Sequence, residues 1–242
     1  MSAASGKRVL VTGVTSGIGK ATVAALLEAG ASVLGLGRSE ARLSELSAGW
    51  GPRFTPVVAD LAKAEARQAA IVAVAGAGAL DAIINNAAEC IYQAPLATPI
   101  EQWSRLLEIN LLAPLQLIQG LHHLLVRNGQ IINLSSVNAR GAQNPKFAPY
   151  GVSKGALAQV TDALRVELAP KGIRVCQVTP GLVETELYQK VNGFERVAEK
   201  LHQAIPQWLR AEDVAQAIVR IVSQPAHVTV GDLVLLPTGQ GS

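Results

Sequence analysis

The chain has 242 residues, a length that a single α/β domain can reach. Hydrophobic residues make up 49% of it and charged residues 16%, a balance that excludes an intrinsically disordered protein. The formal net charge is only +3 and the basic residues are scattered, so a nucleic-acid-binding arm is not expected.

Short apolar runs alternate with longer helical patterns along the chain. Strands are predicted, in chain order, at residues 8–12, 32–36, 54–59, 80–85, 130–135, 173–179 and 232–236. Helices are predicted at residues 17–28, 40–47, 62–75, 99–126, 150–168 and 211–222, and the long stretch at 99–126 is expected to bend or divide near Pro114. The alternation predicts a single α/β domain over residues 1–242. Its expected fold is a Rossmann-type, doubly wound parallel sheet of about seven strands with helices on both faces.

A glycine-rich turn links the first strand to the first helix. It has the pattern T-G-x-x-x-G-x-G, formed by Thr12, Gly13, Gly17, Ile18 and Gly19. Glycines let a backbone turn tightly and approach a pyrophosphate, and the helix N-terminus offers free N–H groups and the positive end of a dipole. The turn predicts a dinucleotide phosphate site, with a turn that binds no ligand as the alternative.

The end of the second strand indicates which dinucleotide is expected. An acidic residue there would accept hydrogen bonds from the adenosine ribose and favour NAD. The sequence instead has Gly37 followed by Arg38, and an arginine at this point can hold a 2′-phosphate. We therefore expect NADP(H) to be preferred over NAD(H), with a solvated loop arginine as the alternative.

A tyrosine and a lysine four residues apart begin the helix at residues 150–168. Tyr150 and Lys154 share one helix face, so the phenol and the ammonium group can serve one site. A free tyrosine, with a pKa of about 10, is a poor base at neutral pH, and a neighbouring cation favours its phenolate. The pair can then exchange a proton with a substrate hydroxyl or carbonyl.

Together these motifs resemble the short-chain dehydrogenase/reductase family, and the resemblance covers essentially the whole chain. It implies a catalytic set of Asn110, Ser136, Tyr150 and Lys154. It also implies cofactor contacts, which together with the arginine named above are Gly13, Thr15, Ser16, Gly17, Ile18, Gly19, Arg38, Asp60, Leu61, Asn86, Ala87, Tyr150, Lys154, Pro180, Gly181, Val183 and Thr185. Residues 236–240 look like a subgroup that includes serine 3-dehydrogenase and clavulanate-type dehydrogenases.

Two positions depart from the family pattern. Ala88 stands where the N-N-A-G segment after the fourth strand has its glycine, and it crowds the backbone near the adenosine. Ser136 precedes Tyr150 by one residue more than is common in the family, and we place the extra residue in the loop at 138–149. Adjacent side chains of a strand point to opposite faces, and Ser136 needs the shorter insertion, so it is preferred to Ser135 as the catalytic serine.

The resemblance implies reversible hydride transfer between nicotinamide C4 and a carbonyl or alcohol carbon. Ser136 would hydrogen-bond to the substrate oxygen, and Tyr150 would deliver or remove the proton of that oxygen. Lys154 would lower the tyrosine pKa and hold the nicotinamide ribose, and Asn110 would anchor a water that relays protons to Lys154. This scheme requires no metal, because the two hydroxyl groups polarise the substrate.

Other functions stay open at this point. Within the enzyme class they are an NAD(H)-dependent alcohol or hydroxy acid dehydrogenase and a 3-oxoacyl-thioester reductase. Outside it they are a non-catalytic nucleotide-binding protein of the same fold and a methyltransferase, although a methyltransferase cofactor has no pyrophosphate for the glycine-rich turn to bind. Residues 184–210 are expected to cover the substrate, and their cations favour an anionic substrate only weakly: Lys190, Arg196, Lys200 and Arg210.

The expected partners are a small carbonyl or alcohol substrate and further copies of the chain. The helical stretches at 106–126 and 150–168 are apolar on more than one face, and the resemblance implies a homotetramer or homodimer. No apolar run reaches the roughly 18 residues of a membrane span, so a membrane is not expected as a partner and a cytoplasmic location is expected. A nucleic acid is not expected as a partner either, because the basic residues are scattered. The four histidines and two cysteines lack metal-ligand spacing, so no metal site is predicted.

Overall fold

The computed structural model describes residues 4–141, 144–189, 191 and 194–241. Its strands are β1 (Arg8–Thr12), β2 (Ser32–Gly37), β3 (Phe54–Val58), β4 (Leu80–Asn85), β5 (Leu125–Leu134), β6 (Arg174–Pro180), β7 (Val183–Glu184), β8 (Leu209–Arg210) and β9 (Asp232–Leu235). Its helices are α1 (Gly17–Glu28), α2 (Glu40–Trp50), α3 (Ala64–Gly76), α4 (Ile100–Leu107), α5 (Ala113–Leu121), α6 (Ala148–Leu168), α7 (Glu186–Gln189), α8 (Glu195–Ala204) and α9 (Ala211–Val222). Among the described helices, none is both long and apolar enough to cross a membrane.

Seven strands form one parallel sheet in the order β3-β2-β1-β4-β5-β6-β9. The order reverses between β1 and β4, so the turns after these two strands diverge and leave a crevice at the carboxyl edge of the sheet. The two short strands β7 and β8 form a separate parallel pair. The predicted doubly wound α/β fold is confirmed.

Strand alternation distributes the core over both faces of the sheet. Val9 and Val11 of β1 join a cluster with residues of α1 and α9, whereas Leu10 between them joins a cluster with α3 and α5 on the opposite face. Both faces are therefore dry, which explains why the strand segments read as continuous apolar runs. Pro56 lies in β3, an edge strand, where a missing N–H is tolerated.

The predicted helix at 99–126 differs most from the structure. A π-helical turn over Glu108–Leu112 separates α4 from α5, so the division lies before Pro114, which occupies the first turn of α5 where proline is tolerated. The helix prediction for residues 125 and 126 is wrong, because β5 already begins at Leu125. A short apolar run does not by itself distinguish a helix end from a buried strand.

Candidate active site

The glycine-rich turn after β1 lies against the end of β4. Gly13 has a φ of +73°, and a Cβ added there would lie 2.9 Å from the Cα of Ala87. A Cβ on Gly19, in the first turn of α1, would collide with the carbonyl oxygen of Gly13. Gly13 therefore requires glycine for its left-handed backbone as well as for its close contact with Ala87, whereas Gly19 requires it for the close approach alone.

Hydrogen bonds between Thr12 and Asn86 connect this turn to the β4 end. The hydroxyl of Thr12 accepts the backbone N–H groups of Asn86 and Ala87, both at 3.0 Å. The Asn86 amide donates to the carbonyl oxygens of Thr12 and Gly13, at 2.8 and 3.3 Å. The Asn86 side chain thus supports the turn itself.

The crevice between the two strand ends forms a cavity of about 360 Å³, within the range of roughly 300–1,000 Å³ usual for small-molecule sites. Most of the residues predicted to contact a cofactor line it, namely Gly13, Thr15, Ser16, Gly17, Ile18, Arg38, Asp60, Leu61, Asn86, Ala87, Tyr150, Lys154, Pro180 and Thr185. Three predicted cofactor residues are not among its lining residues: Gly19, Gly181 and Val183.

The structure shows other contacts for these three residues. Gly19 allows the close approach to Gly13 described above, and the side chain of Val183 is buried in the core. At Gly181 an added Cβ would collide with the amide oxygen of Gln240, which accepts the N–H of Leu182 at 2.9 Å. Their contact with a cofactor stays a prediction.

Two arginines meet one glutamate at the end of the cavity nearest β2. Arg105 makes a bidentate contact with Glu89, its Nε 2.9 Å from Oε2 and its Nη2 2.6 Å from Oε1. This hydrogen bond raises the pKa of Arg105. The Arg38 side chain, which is 61% exposed, approaches the same Oε1 with its Nη1 at 3.7 Å. Asp60 lies on the cavity wall with its Oδ1 accepting the N–H of Ala62 at 3.1 Å.

Tyr150 and Lys154 lie together in the first turns of α6 and are both almost fully buried. The Lys154 Nζ is 6.0 Å from the centre of the Tyr150 ring. It donates a 2.6 Å hydrogen bond to the carbonyl oxygen of Leu134, the last residue of β5. Burial lowers the pKa of Lys154 to about 8, so the group is still largely protonated at neutral pH.

Asn110 belongs to the π turn and does not line the cavity. Its Oδ1 accepts the N–H of Glu89 at 2.9 Å, and its Nδ2 donates to the Glu89 carbonyl and to the Ser153 hydroxyl, each at 2.9 Å. Ser153 in turn donates to the Tyr150 carbonyl at 2.7 Å. One buried amide therefore connects the chain after β4 to the helix that carries Tyr150.

The two adjacent serines make different contacts. Ser135, which lines the cavity, donates from its hydroxyl to the Lys154 carbonyl at 3.3 Å. Ser136 is buried but not among the lining residues, and its hydroxyl accepts the N–H of Asn138 at 3.3 Å. The choice of Ser136 over Ser135 stays a prediction. Part of the loop that would hold the extra residue, at 142 and 143, lies outside the described residues.

Several cavity or support residues were missed in the sequence analysis. Glu89 and Cys90 line the cavity directly after the 85–88 segment, and their place just beyond a parallel strand is a signal that could have found them. Burial raises the pKa of the Cys90 thiol to about 12 although Lys154 acts against this shift, so the thiol stays protonated. No local signal indicates Arg67, which is buried, donates to the Leu61 carbonyl at 2.8 Å and lies 2.9 Å from the Glu108 carboxylate.

An aromatic cluster joins Phe194, in the region predicted to cover the substrate, to Tyr92 and Phe147 outside that region. Tyr92, Phe147 and Phe194 make edge-on contacts with ring centres 4.9 to 6.0 Å apart. Trp208 is buried in the same cluster and stacks on His202 at 3.9 Å. Of the cations that favoured an anionic substrate, Lys200 and Arg210 are exposed, while Lys190 and the side chain of Arg196 lie outside the described residues.

Comparison with known proteins agrees with this geometry. Residues 7–196 match the family model described as short chain dehydrogenase. Serine 3-dehydrogenase of Rhizobium radiobacter is 34% identical over 241 residues, covering 96% of this chain and 94% of the relative. Carbonyl reductase (NADPH) 2 of Sus scrofa is 33% identical over 240 residues, covering 97% and 96%.

A solved structure matches over the same extent. The closed form of serine dehydrogenase complexed with NADP⁺ has a TM-score of 0.89 at 28% identity, covering 97% of this chain and 96% of that one. Serine 3-dehydrogenase is also a member of the subgroup that residues 236–240 resemble. The family match and the similarity along the whole chain show that this protein belongs to the short-chain dehydrogenase/reductase family of oxidoreductases.

Proposed function

We propose that this protein is an NADP(H)-dependent oxidoreductase that transfers a hydride between nicotinamide and a carbonyl or alcohol substrate, with Tyr150 as the general acid/base. The observation that carries the proposal is the buried Tyr150 and Lys154 pair on the wall of the same cavity that the glycine-rich turn opens. We propose further that residues 1–242 act as one dinucleotide-binding and catalytic domain.

The cavity fits a dinucleotide. Ser16 precedes α1 without a side-chain cap, so the N–H groups of the first helical turn are open to a ligand. A Cβ at Gly17, which has a φ of +50°, would lie 3.2 Å from the side chain of Thr185, so a larger residue would crowd the cavity wall. When bound, the nicotinamide ring supplies or accepts the hydride.

The preference for NADP(H) rests on Arg38 and on the absence of an acidic residue at the end of β2. The exposed guanidinium lies at the cavity wall, where it can form charge-assisted hydrogen bonds with a 2′-phosphate. NADP⁺ in the serine dehydrogenase structure and NADPH in the name of the pig carbonyl reductase support the same preference. A requirement for NAD(H) instead would favour the alternative of an alcohol or hydroxy acid dehydrogenase.

The chain's own groups act on one proton in this scheme. Lys154, charged and buried beside the ring, favours the phenolate form of Tyr150, whose Oη exchanges a proton with the substrate oxygen. Ser136 orients that substrate oxygen by donating a hydrogen bond. Asn110 positions α6 through Ser153 and anchors the water that returns protons to Lys154.

The aromatic cluster and the exposed helix faces suggest the partners. Tyr92, Phe147 and Phe194 border the substrate side, and residues 184–210 cover it, so a small organic carbonyl compound or alcohol is the proposed substrate class. Large apolar side chains are exposed on α4, the π turn and α6, namely Ile100, Leu112, Val152 and Val166. These favour a homotetramer or homodimer, which sizing of the purified protein tests; a cytoplasmic location stays a prediction.

The test is turnover by a Tyr150→Phe variant. A panel of carbonyl compounds and alcohols, 3-oxoacyl thioesters included, is followed by NADPH and NADH absorbance to find a substrate. Removing the phenol should lower kcat by about 10²–10⁴, the contribution of general acid–base catalysis, while the Kd for NADPH changes by less than about threefold.

A matched control is Tyr92→Phe. It deletes the same hydroxyl from a tyrosine of the aromatic cluster that accepts a hydrogen bond from Asn144 at 3.0 Å, so it can shift KM but should lower kcat by much less than Tyr150→Phe does. Near-normal kcat in Tyr150→Phe overturns the catalytic assignment. Cofactor binding without turnover of any substrate favours the non-catalytic binding protein.

A further inference from the structure

Arg38 and Arg105, at the end of the cavity nearest β2, converge on one carboxylate oxygen. Oε1 of Glu89 lies 2.6 Å from the Arg105 Nη2 and 3.7 Å from the Arg38 Nη1. Glu89 itself lines the cavity, and both its N–H and its carbonyl are hydrogen-bonded to the Asn110 amide. A fixed backbone and a bidentate arginine therefore hold this carboxylate beside Arg38.

Carboxylates accompany the arginines at this end of the cavity. Glu89 contacts both guanidinium groups, and Asp60 lies on the same cavity wall. An adenosine 2′-phosphate carries up to two negative charges and would enter beside these carboxylates. It must share Arg38 with a carboxylate whose own charge repels it.

We propose that Glu89 is a specificity-determining residue for the cofactor. Its carboxylate competes with the 2′-phosphate for Arg38 and so reduces the preference for NADP(H) over NAD(H), while Arg105 holds the carboxylate in the competing position. NAD(H) carries no 2′-phosphate and does not meet this competition. The proposal rests on the proposed function, since it concerns the same dinucleotide site.

The charge of Glu89 can be removed while its main-chain contacts stay in place. The Asn110 bonds go to its main chain, and the side-chain ion pairs are on a partly exposed surface, where such pairs contribute little to stability. Glu89→Gln keeps the length of the side chain and one of the two hydrogen bonds that Glu89 accepts from Arg105, because an amide has one accepting oxygen where a carboxylate has two. The negative charge facing Arg38 is lost with the second bond.

The experiment measures Kd for NADPH and for NADH by cofactor fluorescence at low ionic strength, where surface charges are least screened. Glu89→Gln should tighten NADPH binding by about two- to fivefold, the size expected for an exposed ion pair, and leave NADH within about 1.5-fold. Glu101→Gln is the matched control, because it removes an exposed carboxylate one helical turn before Arg105. Its ratio of the two Kd values should match wild type.

A second arm repeats the change in an Arg38→Ala background, where the gain for NADPH should disappear. An unchanged ratio in Glu89→Gln, an equal change in Glu101→Gln, or a gain that persists without Arg38 each overturns the proposal. Wild-type protein that binds neither dinucleotide overturns the proposed function, and this inference with it. Dinucleotide binding with an unchanged ratio overturns the inference alone.

Discussion

The floor and the cover of the site are built in different ways. The floor, formed by β4, β5 and α6, contains a buried chain of hydrogen bonds. Asn85 donates to Asn133 at 2.8 Å, Asn133 donates to the Thr161 hydroxyl at 2.9 Å, and Thr161 donates to the Leu157 carbonyl at 2.7 Å. These directional contacts define how α6, and hence Tyr150, lies on the sheet.

The cover, residues 184–210, has no comparable chain among its described contacts. Two of its elements are short, β8 with two residues and α7 with four, and its longest element is α8 with ten. Edge-on ring contacts of Phe194 with Tyr92 and Phe147 connect it to the segments that follow β4 and precede α6. Proton transfer needs a closely defined geometry, which directional bonds supply, whereas apolar contacts let a cover adapt to its substrate.

The largest expected effect concerns the charge buried in the floor. Lys154→Met should lower kcat by about 10²–10⁴, because the phenolate of Tyr150 loses its cation. The same change should alter the pH dependence of stability, since burial lowers the pKa of Lys154 to about 8 from an ordinary value of about 10.4. The folded state thus disfavours the charged lysine.

The sign of the stability effect follows from that shift. Between pH 8 and about 10.4 the unfolded chain binds more protons than the folded one, so the free energy of unfolding of the wild type rises with pH. The free energy of unfolding of Lys154→Met minus that of the wild type is therefore highest below pH 8, and this difference should fall by about 2–3 kcal/mol by pH 10.5. Denaturant titrations of the cofactor-free protein measure it. For the control Lys200→Met, which removes an exposed lysine, the difference in free energy of unfolding from the wild type should not change with pH. A difference that does not change with pH for Lys154→Met would contradict the assigned burial effect.

The next effect breaks the floor's hydrogen-bond chain. Asn133→Leu leaves the buried Asn85 amide without its partner and removes the bond that the Thr161 hydroxyl accepts, and it should reduce the free energy of unfolding by about 2–4 kcal/mol. Urea denaturation measures the loss. The double variant Asn85→Leu/Asn133→Leu should recover part of it, because replacing both partners by apolar groups removes the unpaired Asn85 amide, whereas the Thr161 hydroxyl keeps its bond to the Leu157 carbonyl. A single variant as stable as wild type would contradict the claim that these bonds define how α6 lies on the sheet.

The smallest effect belongs to the cover. Phe194→Leu should lower the free energy of unfolding by less than about 1 kcal/mol, because a segment that opens locally contributes little to global stability. It should shift KM for the carbonyl substrate by about two- to fivefold, the scale of small changes in a hydrophobic pocket. Steady-state kinetics and urea denaturation measure both quantities. If Phe194→Leu destabilises as much as Asn133→Leu, the cover unfolds with the floor and the contrast between them is wrong.

The sequence by itself determined the features that depend on neighbours along the chain. The bounds of α1, β4 and α9 agree with those predicted, because glycines, charged residues and apolar periodicity mark them locally. The same holds for the Tyr150 and Lys154 pair, which one helical turn places on a common face.

Tertiary structure alone decided the rest. The π turn that directs Asn110 toward Glu89, the convergence of Arg38 and Arg105 on that glutamate, and the elements of the cover depend on residues far apart in the chain. Local propensity carries no information about such contacts. Their geometry is determined by how the turns after β1 and β4 diverge and by what packs across the resulting crevice.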